Sequence, residues 1–288
     1  MDNNGIALPS ENSVMERVEK AIFRAAHGKE KLLQQLPLLI RRSIDEVIDA
    51  SRTDRFRLVE LEKTEKTYLG TKIEILLRSF LGFPKGKILD LSIDGIEVDI
   101  KNTMGHNWMI PREAFGHLCL LVQEDEKKAS YSFGIFHAEI GNLSKTENRD
   151  KKRSVSKAGK LAIHWIAKDS TYPENLFESA SAEFLQELAA TRNGTERIAK
   201  LFRHYLGNPV SRHTILAVAK QKDSMKRLRK NGGARDTLCK EGIALLSGTY
   251  DSEIICQLGL PECGRDDFIA FQPQTDADRS LMAKLGKL

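Results

Sequence analysis

The stretch LDLSIDGIEVDIK, residues 89–101, constrains the fold of this chain more than any other. Two segments with strand-like alternation, Ile88-Leu89-Asp90-Leu91 and Ile96-Glu97-Val98-Asp99-Ile100, meet at Asp94-Gly95. Asp-Gly between two such runs predicts a β-hairpin, because the tight hairpin turn needs residues that tolerate a positive φ. Side chains alternate along a strand, so Asp99 and Lys101 project from one face while Val98 and Ile100 point to the other. Asp90 sits on the opposite arm. Two carboxylates and a lysine converging on a hairpin supply what a hydrolytic magnesium site needs. Carboxylate oxygens hold a hard cation, and an ammonium group can orient a water or steady its hydroxide.

The triplet alone is not decisive. Acid-x-Lys patterns are frequent in a chain that is 30% charged, and a solvated hairpin would show the same alternation. The surroundings carry more. Upstream, KTEKTYLGTKIEILLRSFLGF predicts a helix over residues 64–80 with Leu69, Ile73, Leu76, Leu77 and Phe80 as its apolar stripe. Glu74 stands beside Ile73 at the edge of that stripe, and Gly82-Phe83-Pro84-Lys85-Gly86 then turns the chain into the hairpin. Downstream, a loop over 102–107 leads to a short helix from Pro111 through His117, a buried strand over 118–122 and another over 131–140. These elements predict a mixed α/β core. His106 and His117 have no paired nucleophile and no ligand-like spacing, so both read as structural.

The pattern Asp90…Asp99-x-Lys101 resembles the signature of the PD-(D/E)XK nucleases, with Leu89 where the motif's name has proline. The segments KTEKT, LGTKIEI, DGIEVDIK, NWMIPREA and LCLLV, in that order, resemble the catalytic domain of the NaeI family of type II restriction endonucleases, over about residues 49–165. The resemblance implies that Glu74 is a third carboxylate of the site. Asp90, Asp99, Glu74 and the main-chain carbonyl of Ile100 would then hold Mg2+, with Lys101 as the catalytic lysine. It further implies cleavage of double-stranded DNA at a GC-rich palindrome by a homodimer, a partner DNA methyltransferase in the same host, and a C-terminal domain that binds a second, activating DNA copy.

The rest of the chain supports that division. At 288 residues there is room for two domains. The expected layout is an endonuclease domain over 1–168 with its core at about 49–167, a linker over 169–177, and a DNA-binding domain over 178–288. Residues 1–13 read as unstructured, 14–26 and 38–50 as packing helices, and 156–167 as the helix that ends the first domain. The C-terminal part reads as mainly helical, over 178–191, 196–206, 211–219 and 223–230. The last two helices form an expected helix-turn-helix, with strand-like residues 238–247 as a wing. The last dozen residues read as a frayed tail.

A net charge of +5 does not by itself indicate nucleic acid, but the basic residues cluster. Arg52, Arg55, Lys151, Lys152, Arg153, Arg212, Lys226, Arg227, Arg229 and Lys230 are the candidate DNA contacts. The four cysteines show no CxxC pair and no zinc spacing. No apolar run is long enough to span a membrane, and the first residues lack a signal-peptide layout, so the expected location is cytoplasmic. Two other readings stay open at this stage: a catalytically silent DNA-binding regulator, and a repair endonuclease that nicks one strand.

Overall fold

The computed structural model describes residues 11–220 and 223–288. The extreme N-terminal segment, expected to be unstructured, lies outside the described residues over 1–10. The chain divides into two compact units. One holds the chain up to Val47 together with Leu58–Asn175; the other holds Ile48–Arg57 together with Leu176–Leu288. Among the described residues no helix is long and apolar enough to cross a membrane.

The first unit opens with α1 (Glu11–Ala25) and α2 (Lys29–Ile48). Helix α2 begins well before the expected residue 38 and passes through Pro37. Leu32, Leu36, Ile40 and Ile44 are fully buried along one stripe of it. Each such side chain contributes about 1.5–3 kcal/mol. Together they outweigh the cost of an interior proline, about 3 kcal/mol. The short α3 (Ala50–Thr53) falls in the second unit.

Helix α4 (Lys63–Leu81) follows. Its start is fixed by Glu65, whose carboxylate accepts the Glu62 N–H at 2.8 Å, and its end by Gly82 at φ 67°. Leu69, Ile73, Leu77 and Leu81 form the buried stripe, one turn apart. Gly70 faces the sheet, where a Cβ would make an ordinary contact 3.8 Å from that of Asn102. Glu74, one turn beyond Gly70, lies on the same face of the helix and so points toward the hairpin.

The hairpin forms as its sequence requires. Strand β1 (Leu91–Ile93) pairs antiparallel with β2 (Ile96–Thr103), with Leu91 opposite Val98 and Ile93 opposite Ile96. The turn residues Asp94 and Gly95 have φ of 48° and 81°. The first arm is shorter than its alternation suggests: Asp90 lies in a bend, and the strand begins at Leu91.

After β3 (Met109–Ile110) and a single 3-10 turn over Arg112–Ala114, in place of the expected helix through His117, come β4 (Leu118–Asp125) and β5 (Ser130–His137). Strand β4 runs parallel to β2, with Asp99 opposite Cys119 and Lys101 opposite Leu121, and antiparallel to β5. Leu118–Val122 are all buried, as a strand covered on both faces demands. Strands β6 (Leu143–Glu147) and β7 (Arg153–Val155) join β3 in a small second sheet ordered β3-β7-β6.

The expected helix over 156–167 is a correction. Only α5 (Lys157–Leu161) forms, capped by Ser156, whose Oγ accepts the Gly159 N–H at 3.0 Å. The chain then becomes β8 (His164–Thr171), antiparallel to β5, and completes the sheet β1-β2-β4-β5-β8. Backbone pairing along an open edge, with Trp165 and Ile166 in the run, outweighs the local helical pattern.

The second unit contains α6 (Ala182–Ala190), α7 (Gly194–His204), β9 (Pro209–Val210), α8 (Arg212–Ala219), α9 (Ala234–Lys240), β10 (Ala244–Ser247), α10 (Ser252–Gln257), β11 (Phe268–Phe271) and α11 (Asp276–Lys284). Its sheet is ordered β10-β11-β9, antiparallel throughout.

The expected helix over 223–230 is a 3-10 segment, Ser224–Leu228; Asp223 does cap it, accepting the Lys226 N–H at 3.3 Å. Asn231-Gly232-Gly233 ends it, with Asn231 and Gly232 at positive φ and Gly233 pressed against the Arg229 carbonyl, where no side chain fits. The next helix is α9, which takes residues 238–240 from the strand expected over 238–247 and leaves it as β10 (Ala244–Ser247). The C-terminus is no frayed tail: α11 buries Met282 completely, and the Lys287 ammonium lies 2.7 Å from Asp251.

Arg197 organises this unit. It is fully buried on α7 and donates to carbonyls at the C-terminal ends of α6 and α8: Leu188 at 2.6 Å, Thr191 at 3.2 Å and Val218 at 2.5 Å. Its remaining amino group meets Asp54 at 3.1 Å, which ties Ile48–Arg57 to the unit.

The hairpin turn yields the first expectation. Gly95→Ala places a Cβ in a left-handed conformation and should cost about 1–2 kcal/mol. Asp94→Asn tolerates its φ and loses only an exposed ion pair with Arg24, so it should cost within about 1 kcal/mol. Urea unfolding followed by circular dichroism measures both; equal losses would contradict the turn assignment.

Candidate active site

Strand alternation on β2 puts Asp99 and Lys101 on the same side. The Lys101 ammonium lies 2.9 Å from the Asp99 carboxylate and donates to the Ile100 carbonyl at 3.0 Å. It stands 3.8 Å from Asp90. Asp90 reaches across from the bend before β1, and its Oδ2 accepts the Ile100 N–H at 2.8 Å. From α4, the half-buried Glu74 hydrogen-bonds to Asp90, which in turn is hydrogen-bonded to Asp99. The four side chains and the one carbonyl singled out from sequence thus form one connected cluster.

A row of carboxylates in hydrogen-bond contact must share protons. Burial, reinforced by Asp90, pushes Glu74 up to about 7. Burial and the hydrogen bond with Asp90 push Asp99 up to about 7 as well, against the pull of Lys101. Asp90 moves the other way: burial opposes its ionisation, but hydrogen bonds from Asp99 and the Ile100 N–H, with the charge of Lys101, hold it below the usual carboxylate range. Lys101 itself is held above its ordinary value, because Asp99 and Asp90 outweigh its burial. It is an ammonium at neutral pH.

The donor set fits a hard divalent cation. Asp99 Oδ2 is buried beside the Lys101 ammonium, 2.9 Å away, and every candidate ligand atom is oxygen. Among the described residues no three His, Cys, Asp or Glu side chains are drawn close enough to make a finished cage. The ammonium of Lys101 places a positive charge beside Asp99 and the Ile100 carbonyl.

Against known proteins, the model of the family "Restriction endonuclease NaeI" matches residues 21–278. The type II restriction enzyme NaeI of Lentzea aerocolonigenes is 31% identical over 258 residues, covering 86% of this chain and 81% of that enzyme. The chain belongs to the NaeI restriction endonuclease family. Within that family frame, the Asp90, Asp99 and Lys101 cluster is the candidate catalytic centre, and the basic residues are candidate contacts to substrate.

The basic residues do not form one group. Lys151 and Lys152 occupy the turn between β6 and β7, where Asn148 Oδ1 accepts the N–H groups of Asp150 and Lys152, each at 2.9 Å. Arg153 follows on β7, 3.3 Å from Glu147 and 5.4 Å above the Phe115 ring. Arg52 and Arg55 belong to the second unit; Arg52 is 2.6 Å from Asp49. Arg212, Arg229 and Lys230 line one cavity of about 600 Å3 in that unit with Arg235 and Lys287. Lys226 is 3.1 Å from Asp223, and with Arg227 it sits on the 3-10 segment rather than on a helix.

Sequence spacing does not single out Glu124 and Asn102. Asn102 follows Lys101 and donates to Glu124 on β4 at 2.9 Å. Burial raises Glu124 to about 8 despite that bond. A lone acid at the end of an apolar strand reads as exposed; only the covering elements make it internal.

These protonation states dictate a pH dependence. A carboxyl whose pKa is raised by folding binds its proton more tightly in the native state. Its contribution to stability is therefore present below the unfolded value and lost as pH rises through the folded one. For Glu74 and Asp99 the window runs from the ordinary carboxylate range, about 4, up to about 7. In the presence of a chelator, wild type should lose melting temperature relative to Asp99→Asn between pH 5 and 7.5. Parallel melting curves for the two proteins would refute the assignment.

Proposed function

We propose that the protein is a magnesium-dependent type II restriction endonuclease that hydrolyses phosphodiester bonds of double-stranded DNA at a specific, GC-rich palindromic site. The observation that carries this reading is the Lys101 ammonium seated 2.9 Å from Asp99 and 3.0 Å from the Ile100 carbonyl, beside Asp90, in a chain of this family. Asp90, Asp99, the Ile100 carbonyl and Glu74 would hold the ion. When bound, magnesium supplies Lewis-acid polarisation of the scissile phosphate and a lowered pKa for a ligated water.

The protein's own groups do the rest. To serve as anionic ligands Asp99 and Glu74 must both give up protons, and their raised pKa values place that ionisation close to neutral pH. Lys101, kept as an ammonium by Asp99 and Asp90, is a hydrogen-bond donor and a positive charge, not a proton acceptor. It orients the attacking water and offsets charge growing on the phosphate oxygens as the water oxygen adds to phosphorus and the bond to the leaving sugar oxygen breaks.

A homodimer would match the two-fold symmetry of a palindrome and place one such cluster at each strand. In the second unit the order α7, β9, α8, α9, β10, α10, β11 and the sheet β10-β11-β9 support a winged-helix reading, with α8 and α9, joined through the 3-10 segment, as the helix-turn-helix. That unit would hold the second, activating DNA copy, with Arg212, Arg229 and Lys230 toward phosphates. A partner methyltransferase protecting the same site, and cytoplasmic residence beside the DNA, complete the proposal.

Asp99→Ala should abolish cleavage of phage-sized DNA with magnesium while leaving DNA binding measurable in calcium. Lys101→Met should lower kcat by about 10²–10³-fold. Run-off sequencing of wild-type ends checks the site: one shared palindrome is expected. Intact DNA with wild-type protein would leave a silent regulator, and nicked circles alone would leave a repair enzyme.

A further inference from the structure

We infer that Glu97 is a positioning residue for Asp90: its carboxylate holds the bend that delivers Asp90 to the site, and so sets the affinity of the cluster for a divalent cation. The inference rests on the metal-centre reading above.

Asp90 is the one member of the cluster not carried by a helix or a strand. Residues 87–90 are bends without ladder hydrogen bonds. What holds them is a single side chain from the other arm of the hairpin. Glu97, opposite Ser92 on β2, accepts the Lys87 N–H on Oε1 at 2.8 Å. Its Oε2 accepts the Ile88 N–H at 3.1 Å and the Leu89 N–H at 2.9 Å. Three successive backbone donors converge on one carboxylate, the arrangement of a backbone anion nest. Asp90 is the next residue.

A second observation shows that the bend is built around this carboxylate. A Cβ on Gly86 would collide with Glu97 Oε2 and stand 2.7 Å from the Leu89 carbonyl. The exit of the bend is tied separately, Ser92 N–H to the Pro84 carbonyl at 2.9 Å, so losing Glu97 frees residues 87–90 without undoing the hairpin. No contact joins Glu97 to Lys101 or Asp99 among its hydrogen bonds; it acts through Asp90.

The test uses full-length protein and manganese as the probe. Metal binding without DNA is measured by calorimetry, and DNA binding without metal by fluorescence anisotropy. Glu97→Ala should weaken metal binding by about 10–100-fold, as removal of a group that orients a ligand does. Metal-free DNA binding should remain at the wild-type level. Glu97→Gln keeps one acceptor oxygen and should fall between the two. Gly86→Ala, with Glu97 intact but displaced, should move in the direction of Glu97→Ala.

Wild-type metal affinity in folded Glu97→Ala would overturn the inference while sparing the nuclease reading. Should Glu97→Ala not fold, Glu97→Gln and Gly86→Ala carry the same test, and unchanged metal isotherms in both would overturn it. Absence of metal binding by wild type would remove the metal-centre reading and this inference with it.

Discussion

Like charges do not gather unaided, and the first unit depends on one ammonium group that makes them do so. Glu74, Asp90 and Asp99 come from a helix, a bend and a strand, and their mutual repulsion would push those elements apart. Lys101 offsets it from within the same strand, 2.9 Å from Asp99 and 3.8 Å from Asp90. The alternation of β2 makes this possible: a residue two positions along a strand returns to the same face. The cluster is thus held in a state that is buried, partly protonated and paired with a positive charge. The oxygens gathered around that charge are the ones proposed to hold a metal ion.

Much of this site was legible because its chemistry is local. Asp94-Gly95 announced the turn, and period-two alternation put Asp99 and Lys101 together. Glu74 was different. Its place at the edge of an apolar stripe is common to many surface glutamates, and only the resemblance to a nuclease family made it a candidate. Glu97 gave no signal, because a carboxylate that binds backbone N–H groups has no sequence partner to betray it.

Where the reading departed from the structure, tertiary pairing had overridden local pattern. Residues 164–167, expected to end a helix, lie instead against the open edge of β5, whose backbone groups need partners. The helix expected from residue 38 starts instead at Lys29, because fully buried leucines and isoleucines on both sides of Pro37 keep α2 continuous. In the second unit the basic run at 223–230 has the spacing of a helix, but the glycines after it impose a compact 3-10 segment and hand the helix to residues 234–240.

The Arg197–Asp54 pair changes what counts as a module here. Because Ile48–Arg57 packs with Leu176–Leu288, the polypeptide passes from one unit to the other three times rather than once. A truncated chain beginning at Leu176 would keep Arg197 but leave Asp54 behind, so a buried guanidinium would face carbonyl oxygens with no counter-charge. Exchange of C-terminal domains between relatives by a single crossover in the 169–177 stretch would break the same pair. Inheritance of this half of the protein is therefore tied to a short segment that lies far upstream of it in the sequence.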